Sequence, residues 1–76
     1  MFDRITFESG VMGGRACIRG MRITVALVVN LVANGMTVDE IVREYPDLAP
    51  DDIRQALSYA SALANDEIRL FTRPAA

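Results

Sequence analysis

The sequence has no histidine, no lysine and a single cysteine, Cys17. One thiol cannot form an intramolecular disulfide, and a soft-metal site needs more thiol or imidazole ligands than this chain has. We therefore expect no metal and no cofactor, and we expect Cys17 to be a small buried side chain. Without histidine or lysine there is no familiar nucleophile–base set. We expect the chain not to be an enzyme and to have no small-molecule substrate.

Long hydrophobic runs are also missing. The longest, Val25–Val29, is continued after Asn30 by only three more apolar residues, far short of the roughly 20 that cross a bilayer. The N-terminal residues lack the pattern of a signal peptide. With a single cysteine, which suits a reducing compartment, these features predict a cytoplasmic protein with no membrane contact.

The chain has 76 residues, of which 51% are hydrophobic, enough for one domain with a modest core. We predict a single domain over 1–76, with a β element or arm at 1–23, a three-helix unit at 24–65 and a tail at 66–76. A core this small contributes little net stability, and small domains often compensate by associating. We therefore expect a homodimer.

The charge is small overall but unevenly spread. The net charge is −2 and all eight basic residues are arginines, four of them within the first 22 residues: Arg4, Arg15, Arg19 and Arg22. The segment from Asp39 to Asp52 has six acids and one arginine. The chain as a whole has no attraction for nucleic acid, but its two halves differ in sign.

The first half predicts two short strands and a helix. Alternating segments at 4–8 and 15–19 favour strands, and Gly20 then permits a tight turn. Thr24 is a plausible helix N-cap, and Gly35 suits the left-handed position after a helix. We predict a helix over 25–34, apolar nearly all round, with its main stripe at Val28, Leu31 and Val32.

The second half predicts two helices. Thr37 and Glu40 fit a capping box, and Pro46 stops the helix that follows. Pro50 suits the first position of a third helix, which we expect to end near Asn65. Asp51 and Asp52 lie in its first turn, where their negative charges interact favourably with the helix dipole. The buried stripes comprise Val38, Ile41, Val42 and Tyr45 in the second helix, and Ile53, Ala56, Leu57, Ala60 and Ala64 in the third.

Two helices joined across 46–49 are typical of a helix-turn-helix unit, which lays its second helix in the DNA major groove. Such a helix usually presents Arg, Lys, Asn or Gln near its start. Here it starts with Asp51 and Asp52, and only Arg54 and Gln55 are good base readers. The same pattern also occurs in folds that bind nothing.

The segment Gly14–Val25, with its Ile18-Arg19-Gly20-Met21-Arg22-Ile23 centre, resembles the signature of the domain-of-unknown-function family 433. Further matches are Gly35, Thr37–Ile41, the Tyr45-Pro46-Asp47-Leu48 turn and the segment Asp52–Ala60. Ala16, Met21 and Ala49 depart from the pattern, Ala49 by replacing a Ser/Thr helix cap. The resemblance implies a mainly α, homeodomain-like three-helix bundle with a short N-terminal β element. It also implies a VapB-like antitoxin, often encoded beside a PIN-like ribonuclease.

Five residues are candidates for DNA contact: Arg15, Arg19, Arg22, Arg54 and Gln55. Arg19 and Arg22 are the strongest, because a guanidinium pairs well with phosphates or with the carboxylates of a nuclease partner. The alternative is that they pair within the chain with Asp39, Glu40 or Asp47. The tail combines apolar side chains with guanidinium groups, a composition typical of protein interfaces. Its candidate partner-binding residues are Arg69, Leu70, Phe71 and Arg73.

Two functions follow from these observations. The first is an antitoxin that binds and inhibits a PIN-like toxin and possibly represses its own operator DNA as a dimer. The second is a non-catalytic interaction module with a helix-turn-helix-like fold that does not bind DNA. A neighbouring reading frame for a small ribonuclease would favour the first.

Overall fold

The computed structural model describes the backbone of residues 2–71 and the side chains of residues 2–65. Two strands come first, β1 at Ile5–Thr6 and β2 at Cys17–Ile18, with a 3₁₀ turn at Met12–Gly14 between them. Three helices follow: α1 at Val25–Ala33, α2 at Val38–Glu44 and α3 at Pro50–Phe71. The fold is mainly α with a small N-terminal β element, as the sequence predicts.

The strands pair antiparallel, with Ile5 opposite Ile18 and Thr6 opposite Cys17. Both are shorter than the predicted segments, 4–8 and 15–19. Strand β2 ends early because Arg19 and Gly20 both have positive φ, 46° and 72°, which turns the chain out of the sheet. The Met21 amide donates to the Ile18 carbonyl at 2.8 Å and closes that turn.

Helix α1 begins at Val25 as predicted and ends at Ala33, one residue before the predicted end. The Thr24 side chain accepts from the Leu27 amide at 3.0 Å. At the other end Gly35 has φ 94°, and its amide donates to Val32 while the next amide donates to Leu31. This is the Schellman arrangement, which satisfies the last carbonyls of a helix and favours glycine at the left-handed position.

Helix α2 begins with the predicted capping box. The Glu40 amide donates to the Thr37 hydroxyl at 3.1 Å, and the Glu40 carboxylate accepts from the Thr37 amide at 2.8 Å. The helix ends before Tyr45 and Pro46, because proline at 46 restricts the preceding residue and cannot continue the helix.

Helix α3 packs against both α1 and α2. The buried core draws on both strands, on all three α-helices and on Leu48 in the α2–α3 connection; Cys17 is 2% exposed, as predicted. The buried core cluster comprises Ile5, Ile18, Val25, Val28, Ile41, Leu48, Ile53 and Ala56.

Two predictions for α3 are wrong. Ala64 is exposed instead of buried, because the other helices and the sheet do not reach that far along α3. The helix also runs to Phe71, beyond the predicted end near Asn65. The physical reason is that no glycine or proline interrupts the sequence between Pro50 and Pro74.

Candidate functional site: a buried aspartate at the start of α3

Asp52, the third residue of α3, has a fully buried carboxylate. It accepts a hydrogen bond from the Ala49 amide at 2.8 Å. Ala49 has no side-chain oxygen to cap the helix, so this bond is one half of a capping box, made in the reverse direction by the third residue. A first-turn aspartate thus satisfies a backbone donor where the usual cap is missing.

Two arginines bring their positive charges to the same carboxylate. Arg19 donates through Nε to Oδ1 at 3.1 Å and through Nη2 to Oδ2 at 2.9 Å. Arg4 donates through Nη1 to Oδ1 at 2.8 Å. Arg19 Nη2 also donates to the Asp47 carbonyl at 2.7 Å. We call Asp52, Arg4 and Arg19 the Asp52 cluster; it joins the β element to the start of α3.

Arg19 reaches Asp52 because of the turn after β2. Its φ of 46° is unusual for a residue with a side chain, and Gly20 follows with φ 72°. A Cβ at Gly20 would lie 3.0 Å from a Glu8 carboxylate oxygen, but that exposed side chain can move away, so it is the positive φ that favours glycine at position 20. The Arg19 amide donates to the Arg4 carbonyl at 2.8 Å, which places the two arginines side by side.

Charge and hydrogen bonding shift the ionisation of the cluster. Burial acts to raise the pKa of Asp52, but hydrogen bonds from Arg19, the Ala49 amide and Arg4 outweigh it and lower that pKa to about 2. The same hydrogen bond and the Asp52 charge raise the pKa of Arg19. The pair is therefore ionised at neutral pH, and Asp52 is not available as a proton donor.

The residues before β1 lie along the next turns of α3. The Gln55 side chain accepts from the Arg4 amide and donates to the Asp3 carboxylate at 2.9 Å; the latter bond is the main cause that lowers the pKa of Asp3. The Phe2 ring meets Tyr59 edge-on, with ring centroids 5.3 Å apart. The N-terminal arm is thus held against α3 by polar and aromatic contacts.

The structure places the five candidate DNA-contact residues in different settings. The side chains of Arg19 and Gln55 form the internal bonds described above. Arg54 is exposed and pairs with Asp51. Arg15 and Arg22 are exposed, and neither side chain forms a hydrogen bond with another described residue. DNA contact stays a prediction for all five, and the tail candidates Arg69, Leu70, Phe71 and Arg73 lie outside the described side chains.

Sequence reasoning missed the central pairing. It considered internal partners for Arg19 and named Asp47, but it gave Asp52 only a dipole role and gave Arg4 none. The Asp47 carbonyl accepts a hydrogen bond from Arg19. The charge of Asp47, like that of Asp52, raises the pKa of Arg19. The available signal concerned only the capping role of Asp52: an acid three residues after a non-capping Ala49 occupies the capping-box position.

Two grooves flank the start and the middle of α3. A polar groove of about 330 Å³ lies over its first turns and is lined by Phe2, Arg4, Asp51, Arg54, Gln55 and Ser58. An apolar groove of about 530 Å³ lies between α1 and α3. Its walls include Ala26 and Val29 from α1 and Tyr59 and Leu63 from α3, with Arg15 at one edge. We call the second one the α1/α3 groove.

Some kinds of site are not found in the part of the chain that the structure describes. Among those residues, no three acids or cysteines lie close enough together to hold a metal ion. None of the described helices is both long enough and apolar enough to cross a membrane.

The fold and the Asp52 cluster define a class: a small, mainly α domain whose antiparallel β element is ion-paired to the start of its third helix. The chain belongs to the family described as protein of unknown function (DUF433), whose model matches residues 5–60. No curated protein and no solved structure matches the chain. The matched range contains both Arg19 and Asp52, and it ends at Ala60, beyond which the described residues of α3 are exposed.

Proposed function

We propose that this protein is the antitoxin of a type II toxin–antitoxin pair, a non-catalytic protein that binds and inhibits a PIN-like ribonuclease. The resemblance of the Gly14–Val25 segment to the VapB-like group suggests this role. The structural observation that supports it is the length of α3. The helix continues from Ser61 to Phe71, past the end of the core, and residues 61–65 are all exposed.

Such a helix offers a partner a binding element that the domain itself does not use. Eleven residues of helix, from 61 to 71, extend roughly 16 Å at the usual rise. The sequence at its end combines the candidate residues Arg69, Leu70, Phe71 and Arg73. Aromatic and arginine side chains contribute strongly to protein interfaces, and a guanidinium suits the acidic metal site of such a nuclease.

The direct test is an RNA-cleavage assay with the full chain and a PIN-like ribonuclease cloned from the reading frame next to its gene; the absence of such a reading frame would contradict the proposal. We expect the wild-type chain to block cleavage at equimolar concentration. The double variant Phe71→Ser/Arg73→Ser should lose most of the inhibition, because both changes remove interface anchors. Arg43→Ser, at an exposed arginine of α2, is the matched control and should inhibit normally.

The outcomes separate two claims. If the wild-type chain does not inhibit the ribonuclease, the antitoxin proposal is wrong. If the wild type inhibits and the double variant inhibits equally well, binding through the tail is wrong.

Autorepression through DNA is a second candidate, and the polar groove favours it. Asp52 pairs with two arginines, and Asp51 pairs with Arg54. The acids at the start of α3 therefore repel a DNA phosphate less than unpaired acids would. A gel shift on the upstream DNA should weaken steeply as salt rises. Arg22→Ala and Arg54→Ala should each reduce the shift. If no gel shift is seen even at low salt, the DNA-binding proposal is wrong. The alternative, a non-catalytic interaction module that does not bind DNA, is then favoured.

A further inference from the structure

We propose that the N-terminal arm, residues 2–4, is an autoinhibitory strap on α3. It covers the face of the helix that carries the base-reading candidate Gln55, and it must lift before that face can enter the DNA major groove. This inference rests on the DNA-binding candidate described above and names a regulation of the same face.

The arm engages both polar groups of the Gln55 side chain. Its Oε1 accepts from the Arg4 amide, and its Nε2 donates to the Asp3 carboxylate at 2.9 Å. Glutamine recognises adenine with the same two groups, which together form a bidentate contact with the base edge. While both groups face the arm, the side chain is not turned outward for such a contact.

The arm also covers the next turn of this face. Tyr59 lies four residues after Gln55, one helical turn further on, and the Phe2 ring meets it edge-on. The Ile5 amide donates to the Phe2 carbonyl at 3.2 Å, so residues 2–5 form a turn that folds back on the helix. The arm thus extends across two successive turns of α3.

The size of the major groove makes the arm and the DNA bases mutually exclusive at this face. An α-helix with its side chains is about 10–12 Å in diameter, and the major groove of B-DNA is about 12 Å wide. The helix alone therefore fills the groove. A second backbone segment on its leading face leaves too little room, so the closed arm blocks entry.

The arm adds a charge that opposes DNA. Asp3 is exposed, and the hydrogen bond from Gln55 is the main cause that lowers its pKa, so its carboxylate is ionised at neutral pH. In the closed arm this charge stands beside Gln55, where it repels the phosphates of an approaching duplex. Lifting the arm removes both the obstruction and the charge from the face.

The arm can lift without unfolding the domain. Its contacts through Asp3 and Phe2 are exposed or half-buried, and such contacts contribute little net free energy because water replaces them. The chain behind the arm is held more firmly. The Arg4 carbonyl accepts from the Arg19 amide at 2.8 Å, and the Arg4 guanidinium donates to Asp52 at 2.8 Å. Arg4 is therefore the hinge.

The first experiment measures the dissociation constant of the full chain for a fluorescent duplex made from the DNA upstream of its gene. Phe2→Ala removes the contact with Tyr59 without changing the charge, and Asp3→Ala removes the contact with Gln55. Each should bind about three- to tenfold more tightly than the wild type, the factor that corresponds to the loss of one such contact. Glu8→Ala removes an exposed acid outside the arm and, as the charge control, should change binding by less than about twofold.

The second experiment follows the arm itself by NMR. Nuclear Overhauser effects between the Phe2 and Tyr59 rings should be present in the free wild type, where the centroids are 5.3 Å apart. They should disappear when the protein is saturated with the duplex. Circular dichroism of every variant confirms that it is folded.

The outcomes separate the strap from DNA binding itself. If neither the wild type nor the arm variants bind the duplex at low salt, both proposals are wrong. If the wild type binds and Phe2→Ala binds equally or more weakly, or if the ring contact persists in the complex, DNA binding stands and the strap is wrong. A gain for Asp3→Ala that Glu8→Ala matches, with none for Phe2→Ala, would attribute the effect to charge alone and would also overturn the strap.

Discussion

The starts of α2 and α3 solve the same physical problem in different ways. Each must satisfy backbone amides that have no partner within the helix. Helix α2 does so with Thr37 and Glu40, three residues apart and both exposed. Helix α3 uses Asp52, which is buried and is itself held by arginines 33 and 48 positions earlier in the chain.

The difference separates a local device from a tertiary one. The α2 cap is formed by neighbours in sequence. It stabilises the helix by about 1 kcal/mol, as caps do in isolated helices. The α3 cap couples the helix start to the β element, because Arg4 directly precedes β1 and Arg19 directly follows β2. Loss of Asp52 therefore affects more than one helix end, since it also leaves the two guanidinium groups without their acceptor.

Replacing Asp52 should have the largest effect. Asp52→Ala removes the acceptor of the Ala49 amide, Arg4 and Arg19, and should lower the free energy of unfolding by about 3 kcal/mol. The value lies at the lower end for buried ion pairs, because the arginines are 33% and 43% exposed and can regain water. Urea unfolding followed by circular dichroism measures it.

The adjacent acid provides the control for this change. Asp51 is exposed and pairs with Arg54 at the surface, so Asp51→Ala should cost less than about 0.5 kcal/mol. Equal losses for the two aspartates would mean that helix-dipole effects, rather than the Asp52 cluster, dominate.

Acid should weaken the α3 cap in a defined pH range. The pKa of Asp52 is lowered in the folded protein from 3.8 to about 2, so the unfolded chain takes up the proton first as pH falls. The stabilisation, about 2 kcal/mol, is fully present above pH 4 and is lost between about pH 4 and pH 2. Unfolding midpoints measured over this range should fall.

The variant Asp52→Asn isolates this contribution. It keeps the side-chain size but cannot titrate, so its stability should fall less between pH 4 and pH 2 than that of the wild type. The remaining slope comes from other acids whose pKa is lowered, such as Glu40, where hydrogen bonds with Thr37 are the cause. Identical slopes for the two proteins would contradict the role given to Asp52.

The smallest effect is expected at α2. Thr37→Ala removes the hydroxyl that accepts from Glu40 and should cost about 1 kcal/mol. Thr37→Ser keeps the hydroxyl and should cost a few tenths at most. A loss for Thr37→Ala as large as that for Asp52→Ala, measured in the same urea titration, would remove the distinction between the two caps.

The same distinction explains what the sequence could predict. The Thr24 and Thr37 caps, the Gly35 terminus and the stop before Pro46 depend on residues within a few positions, and all four are found as predicted. The Arg19–Asp52 pairing depends on how the sheet docks on α3, and spacing along the chain carries no information about it. Gln55 shows the same limit, since a residue chosen as a base reader turns out to hold the N-terminal arm.

The end of α3 was mispredicted for a different reason. The sequence pattern predicts burial as far as Ala64, but residues 61–65 of α3 are exposed. The predicted end near Asn65 is wrong because no glycine or proline lies between Pro50 and Pro74 to stop the helix there, and the structure shows α3 continuing to Phe71. The projecting part is the basis of the partner-binding proposal.

A double-mutant cycle on Arg19 and Asp52 tests most directly whether this pair joins the β element to α3. Unfolding free energies are measured for the wild type, Arg19→Gln, Asp52→Asn and the double variant. We predict that Asp52→Asn costs clearly less in the Arg19→Gln background than in the wild type, by more than the roughly 0.5 kcal/mol expected of independent sites. Equal costs in the two backgrounds would show that the residues contribute separately and would contradict the account.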